Sequence, residues 1–193
     1  MTSQDHGLGG RLRLLRATEL TDEQKAVHER LIDDRGSRGY RVATAAGELI
    51  GPFNALLRAP GVGAAHLRWV QAIEAVGLAP DVREAVVLTV AAVWDVPYIR
   101  YAHTAAARTH GMREDDLSAL LAGDPATGLG PAAQAAQRLT RSLVENRRVD
   151  DDLYAYAAEE LGEEGLAALV VLIGQYLTTA AILTCFDVPA PSL

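Results

Sequence analysis

Residues 83–103 read REAVVLTVAAVWDVPYIRYAH. The first half is a nearly unbroken apolar run, and Asp95-Val96-Pro97 cuts it off. Pro97 has no amide proton to donate, and it pushes Val96 out of the α region. The stretch therefore reads as two helices joined at a tight break, one ending near Trp94 and the next opening at Pro97–Tyr98. Upstream, Pro80 and Asp81 mark the start of the first helix, with proline at the first position. Downstream, Gly111 suits the residue just past a helix end. Between Glu84 and His103 an acid, an imidazole, an arginine and two tyrosines lie among apolar side chains. Such a cluster suits proton handling or the holding of a small anion.

Working outward, Thr21 with Asp22, Glu23 and Gln24 forms an N-cap and an acidic first turn, and opens a helix to about residue 34. Residues 35–52 are Gly-rich and read as a loop; 51–60 is a short helix closed by Pro60. A helix over 62–77 carries Leu67, Val70, Ile73 and Val76 at helical spacing. Further helices are expected at 112–121, 131–146, 150–161 and 163–184, with a Gly-containing loop at 122–130 and a Pro-rich tail. No segment alternates like a strand. The fold class is all-α, in one helical domain over 18–193 behind a flexible polar arm at 1–17.

The chain has 193 residues, enough for one domain with a sizeable core. A 49% apolar share argues against disorder, and a net charge of -7 argues against nucleic acid as the main partner. One cysteine, Cys185, allows no intramolecular disulfide, so a cytoplasmic location is the default. The first residues lack the apolar core of a signal peptide. No membrane span is expected: 166–184 is the longest candidate, and Gly174, Gln175 and its threonines make it a buried helix instead.

LIGPFNALLRAP at 49–60, the 83–103 segment, Ala107 to Gly111 (AxxxG) and LIGQYLTTAAILTCFDVP at 172–189 together resemble the carboxymuconolactone decarboxylase family, which shares the alkylhydroperoxidase D-like helical bundle. The resemblance covers most of 20–190 and rests on the order and spacing of these motifs. It implies homo-oligomers (dimers, trimers or hexamers) and a relay glutamate 19 residues before the histidine, the position of Glu84 relative to His103. Two departures stand out. The peroxidase-like branch carries CxxC where this chain has Val96 and Ile99. The decarboxylase-like branch reads Tyr-Glu-Trp-x-x-His where this chain has Tyr98-Ile99-Arg100-Tyr101-Ala102-His103.

His103 titrates near neutrality in its ordinary state and suits proton transfer; a buried histidine bonded to a carbonyl is the plain alternative. Glu84 would orient it or pass a proton, although an acid near a helix start is also favoured by the dipole. Arg100 offers a fork that matches a carboxylate, or else faces solvent. Tyr98, Tyr101 and Tyr176 would donate to an enolate or lactone oxygen, or simply pack. Trp94 reads as a core or cavity wall, Cys185 as inert packing, and His66 and His110 as surface or packing residues. The chain has no HExxH, CxxC, P-loop, GxGxxG or GxSxG, and its histidines lack metal-ligand spacing, so neither metal nor cofactor is expected. The leading expectation is a cofactor-independent decarboxylase-like enzyme for a small carboxylated lactone or β-keto acid. Isomerisation, lactone opening or dehydration on the same site, and an oligomeric binding protein without catalysis, are the alternatives. A thiol peroxidase would need an outside thiol beside Cys185.

Overall fold

A computed structural model describes residues 7–35 and 39–191. Eight α-helices are present among them: α1 (Asp22–Arg35), α2 (Pro52–Leu56), α3 (Pro60–Ala75), α4 (Pro80–Trp94), α5 (Pro97–Thr109), α6 (Glu114–Ala122), α7 (Pro131–Arg141) and α8 (Asp151–Cys185). No strand occurs among the described residues; one isolated antiparallel bridge joins Ala43 to Leu49. That bridge tightens the expected 35–52 loop into a small hairpin, with the Ile50 amide donating to the Val42 carbonyl at 3.0 Å.

The local signals act as the sequence implies. Prolines open α2, α3, α4, α5 and α7, where a missing amide proton costs nothing. The Thr21 hydroxyl accepts from the Gln24 amide at 3.3 Å, and the Gln24 side chain accepts from the Thr21 amide at 3.0 Å. This reciprocal pair satisfies two amides that the first turn of α1 would leave open. Asp95 takes the left-handed conformation (φ 51°) that ends α4. A π-helical turn, Ser142–Asn146, continues α7. α8 bends at Gly162, whose φ of 67° and ψ of 171° are not helical. The two expected helices at 150–161 and 163–184 are thus two arms of one bent element.

α4 is the hub. It packs against α5, α6, α7 and α8, and a continuous run from Glu84 to Ala91 is buried on all sides. A helix apolar around its whole circumference is stable only inside a bundle. A second, smaller core gathers Val27 and Leu31 of α1, Leu49 and Phe53, Leu57 and Leu67.

Three expectations need correction. The arm expected to be flexible at 1–17 is docked from residue 7 onward; residues 1–6 lie outside the described residues. Leu8 and Leu15 are buried, and the Arg11 amide donates to the Phe186 carbonyl at 2.7 Å. Two leucines spaced among polar residues gain enough by burial to hold the segment down. Next, α8 is, by length and composition alone, apolar enough to cross a membrane, contrary to the expectation of no such span. Half of its apolar window lies inside the bundle, which is how a core helix passes the same test. Finally, Cys185 is exposed rather than packed.

Candidate active site

His103 stands in the middle of α5, against α4. Its Nδ1 lies 2.8 Å from Oε2 of Glu84, and its Nε2 lies 3.0 Å from the hydroxyl of Tyr176 on α8. The Tyr176 ring meets the imidazole edge-to-face, with centroids 5.1 Å apart. Three helices thus contribute one side chain each to a linear chain of hydrogen bonds. The histidine and glutamate side chains are only 14% and 6% exposed, so water screens their contact weakly. A neutral imidazole that donates Nδ1–H to the Glu84 carboxylate presents its Nε2 lone pair to the Tyr176 proton. Glu84 also fixes the ring plane, as a carboxylate partner does in other histidine-centred sites.

This chain borders a cavity of about 460 Å³, part of it open to solvent. Its apolar walls include Phe53, Leu56 and Ile99; its polar lining comes from Tyr40, Tyr98, His103, Gln175, Tyr176, Thr179 and His66. No lysine or arginine among the described residues lines it. Behind the pair, Glu84 and His103 face a second hollow with Tyr40, Arg83 and His110, where Arg83 meets Glu74 at 3.3 Å.

Tyr98 forms part of the cavity wall, and its hydroxyl donates to the Arg41 carbonyl at 3.3 Å. Burial pushes that hydroxyl above the ordinary phenol range, with Tyr40 and Tyr101 adding to the effect. Tyr98 therefore stays protonated at any ordinary pH. Gly51, at φ 65°, lies flat against this ring: an added Cβ would collide with the Tyr98 phenol. Tyr101 stands behind the wall. Its hydroxyl accepts from the Arg41 amide at 3.1 Å and its ring packs edge-on against Tyr98.

Two expected site residues lie elsewhere. Arg100 turns away from the cavity. Its guanidinium donates to the carbonyls of Ala91 (3.4 Å), Ala92 (3.4 Å) and Leu121 (3.2 Å), and meets Asp95 at 3.2 Å. It caps the C-terminus of α4, where carbonyls lack helical partners and the dipole favours a cation. Trp94 is 39% exposed and is not part of the cavity wall, because the left-handed turn at Asp95 leaves it at the rim of the bundle. Four polar lining residues, Tyr40, His66, Gln175 and Thr179, are not among the site residues expected from the sequence. His66 reaches the cavity from α3, an approach no local pattern announces. Gln175 was noted only as a polar interruption in an uncharged run, although a carboxamide beside Tyr176 on a core helix is the signal that could have found it. The positions of the family's thiols hold Val96 and Ile99, both buried, and Cys185 lies at the far end of α8. Among the described residues no group of histidine, cysteine and acidic side chains could hold a metal ion.

Residues 60–142 match the carboxymuconolactone decarboxylase family. No curated protein matches the chain. Among solved structures, an uncharacterized peroxidase-related protein from Ralstonia eutropha JMP134, described as an alkylhydroperoxidase AhpD core, superposes with a TM-score of 0.75. The match covers 94% of this chain and 92% of that one at 14% identity, so it establishes the fold. The alkylhydroperoxidase D-like bundle expected from the motifs is the fold observed.

Proposed function

We propose, from the premise that residues 60–142 belong to the carboxymuconolactone decarboxylase family, that the chain is a cofactor-independent enzyme that moves a proton at a small carbonyl substrate. The carrying observation is the continuous Glu84–His103–Tyr176 hydrogen-bond chain at the wall of a cavity. Decarboxylation of a small β-keto acid or carboxylated lactone is the reaction it suits best. The bond to the carboxylate breaks, carbon dioxide leaves, and the electron pair forms an enolate. The Tyr176 proton passes to the enolate carbon while the imidazolium gives its Nε2 proton to the Tyr176 oxygen. Solvent then returns one proton to His103. Glu84 holds the ring through Nδ1, which keeps Nε2 aimed at the Tyr176 hydroxyl.

Arg100 has no part in this scheme. A substrate carboxylate in this cavity meets no arginine or lysine among the described residues, which leaves it poorly compensated by them until carbon dioxide departs. Run with a neutral imidazole, the same chain of groups removes and returns a proton, which is isomerase chemistry. Peroxidase chemistry is disfavoured because apolar side chains occupy both thiol positions.

The test is to incubate wild type and His103→Ala with γ-carboxymuconolactone and a panel of β-keto acids and carboxylactones, reading carbon dioxide release by mass spectrometry. Release by wild type alone supports the proposal. Equal release by both proteins would remove His103 from the chemistry.

A homo-oligomer in the cytoplasm completes the proposal. Val62 and Trp69 on α3 and Val76 just past its end are exposed at seven-residue spacing, and Val170 and Val171 are exposed on α8. Seven-residue spacing suits helix-on-helix packing between copies. Light scattering of wild type and Trp69→Glu checks this: a monomeric wild type would sink it.

A further inference from the structure

Gln175 and Gln137 are equally buried, each 5% exposed, yet their surroundings differ. Gln137 is fully used: its carboxamide oxygen accepts from the Ala126 amide at 3.0 Å, and its nitrogen donates to the Asp124 carbonyl at 2.7 Å. It pins the 123–130 loop. The Gln175 carboxamide oxygen is buried with no hydrogen-bond partner among the described residues. Its side chain borders the cavity, one residue from Tyr176 on the same helix.

Leaving a buried polar atom unpaired is costly, and folded proteins rarely accept it without return. An apolar residue of the same size would pack there more favourably. Such a group persists where something outside the chain completes it. We propose that Gln175 is a specificity-determining residue of the cavity, whose carboxamide oxygen accepts a hydrogen bond from a hydroxyl, enol or amide N–H of the bound substrate. The inference rests on the proposed function for the idea that the cavity holds a substrate, and adds the chemical class of its recognised end. That end is uncharged and carries a donor. The ring nitrogens of His103 bond to Glu84 and Tyr176 and not to Gln175, so the part of Gln175 is to orient the substrate rather than to move the proton. A site built to hydrogen-bond a hydroxyl rejects the analogue that lacks it, because its own polar atom is then left unpaired.

The test compares wild type with Gln175→Met, a near-isosteric apolar change, and with Gln137→Met. Phenol and anisole are the probes: both carry an oxygen on a benzene ring, only phenol donates, and Gln175→Met controls for the extra methyl group of anisole. Wild type is expected to bind phenol about tenfold more tightly than anisole, the value of one neutral hydrogen bond. Gln175→Met is expected to bind the two alike. The melting temperatures should move in opposite directions, upward for Gln175→Met and downward for Gln137→Met. A purely structural role for Gln175 would lower both. Wild type that fails to prefer phenol, a Gln175→Met that keeps the preference, or a Gln175→Met that melts lower than wild type would overturn the proposal. The carbon dioxide assay with His103→Ala is independent of all three readings. Failure there leaves phenol selection intact and discards only the proton-transfer reading.

Discussion

Arg100 and His103 stand three residues apart on α5, and they spend their polar atoms in opposite ways. Arg100 gives its guanidinium to three backbone carbonyls and Asp95, all of them parts of the fold. His103 is held by one side chain, Glu84, and turns its other nitrogen to Tyr176 at the cavity. Both residues are polar and both are mostly covered. What separates them is whether the last partner in each chain of contacts belongs to the backbone or borders the cavity. Residue type and helical spacing alone do not tell a capping cation from a catalytic base.

The sharpest way to break this contrast is to remove each in turn. His103→Ala is expected to lower turnover by about 10²–10⁴-fold, the usual worth of a positioned acid–base group, with the helical signal in circular dichroism retained. Glu84→Gln should follow it in direction, since the carboxylate that holds the ring through Nδ1 is gone. A variant that kept full turnover would place the chemistry elsewhere.

Arg100→Ala is expected to do the reverse. Turnover per folded molecule should hold, while stability falls by about 1–3 kcal/mol as carbonyls at the end of α4 lose their donor. Denaturant titration beside the activity assay reads both quantities. Loss of turnover at unchanged stability would return Arg100 to the site.

Tyr176→Phe sharpens the contrast further along the chain. It removes the proton that passes to the enolate carbon and keeps the ring, so a loss of about 10²–10⁴-fold is expected, in the range of His103→Ala. A loss of less than about tenfold would mean that the imidazole protonates the enolate without the phenol.

The smallest effect lies far from the cavity, at Glu19. Hydrogen bonds from Arg16 and Arg13 lower its carboxyl to about 2 from an ordinary 4.5. A lowered acid contributes stability that is fully present above the ordinary value and is lost as pH falls through the lowered one. The protection factors of amides in the 11–20 segment, each taken against intrinsic exchange at the same pH, should therefore be steady from pH 7 to 5 and fall toward pH 2. In Glu19→Gln the local protection should be lower and should not depend on this carboxyl. Identical pH profiles for the two proteins would show that the cluster does not hold the segment.

Much of the fold was legible because its signals are local. Pro80, Pro97 and Gly162 act on their own φ angles and on adjacent hydrogen bonds, so they mark helix boundaries wherever the chain goes. Glu84 and His103 were legible together through the family resemblance, which implies a glutamate 19 residues before the histidine. The direction of Arg100 was not. Its long side chain reaches along α5 to the end of α4, and that meeting depends on the angle between two helices. The same holds for His66, brought in by α3, and for the first residues, where Leu8 and Leu15 find a surface that only the assembled bundle provides. Trp94 was misread for a related reason: an aromatic at a helix end is buried only if the next turn folds over it, and Asp95 leads the chain away.

Gly51 carries a consequence for variant libraries. Its backbone lies against the Tyr98 ring with no room for a methyl group, and it sits before the short helix α2 rather than within the hub around α4. In a library scored separately for cellular abundance and for turnover, most damaging substitutions in α4 should fall in both scores together. Gly51→Ala should fall in both as well, although it lies outside α4, because its φ of 65° and the collision with the buried Tyr98 ring strain the fold and the cavity wall at once.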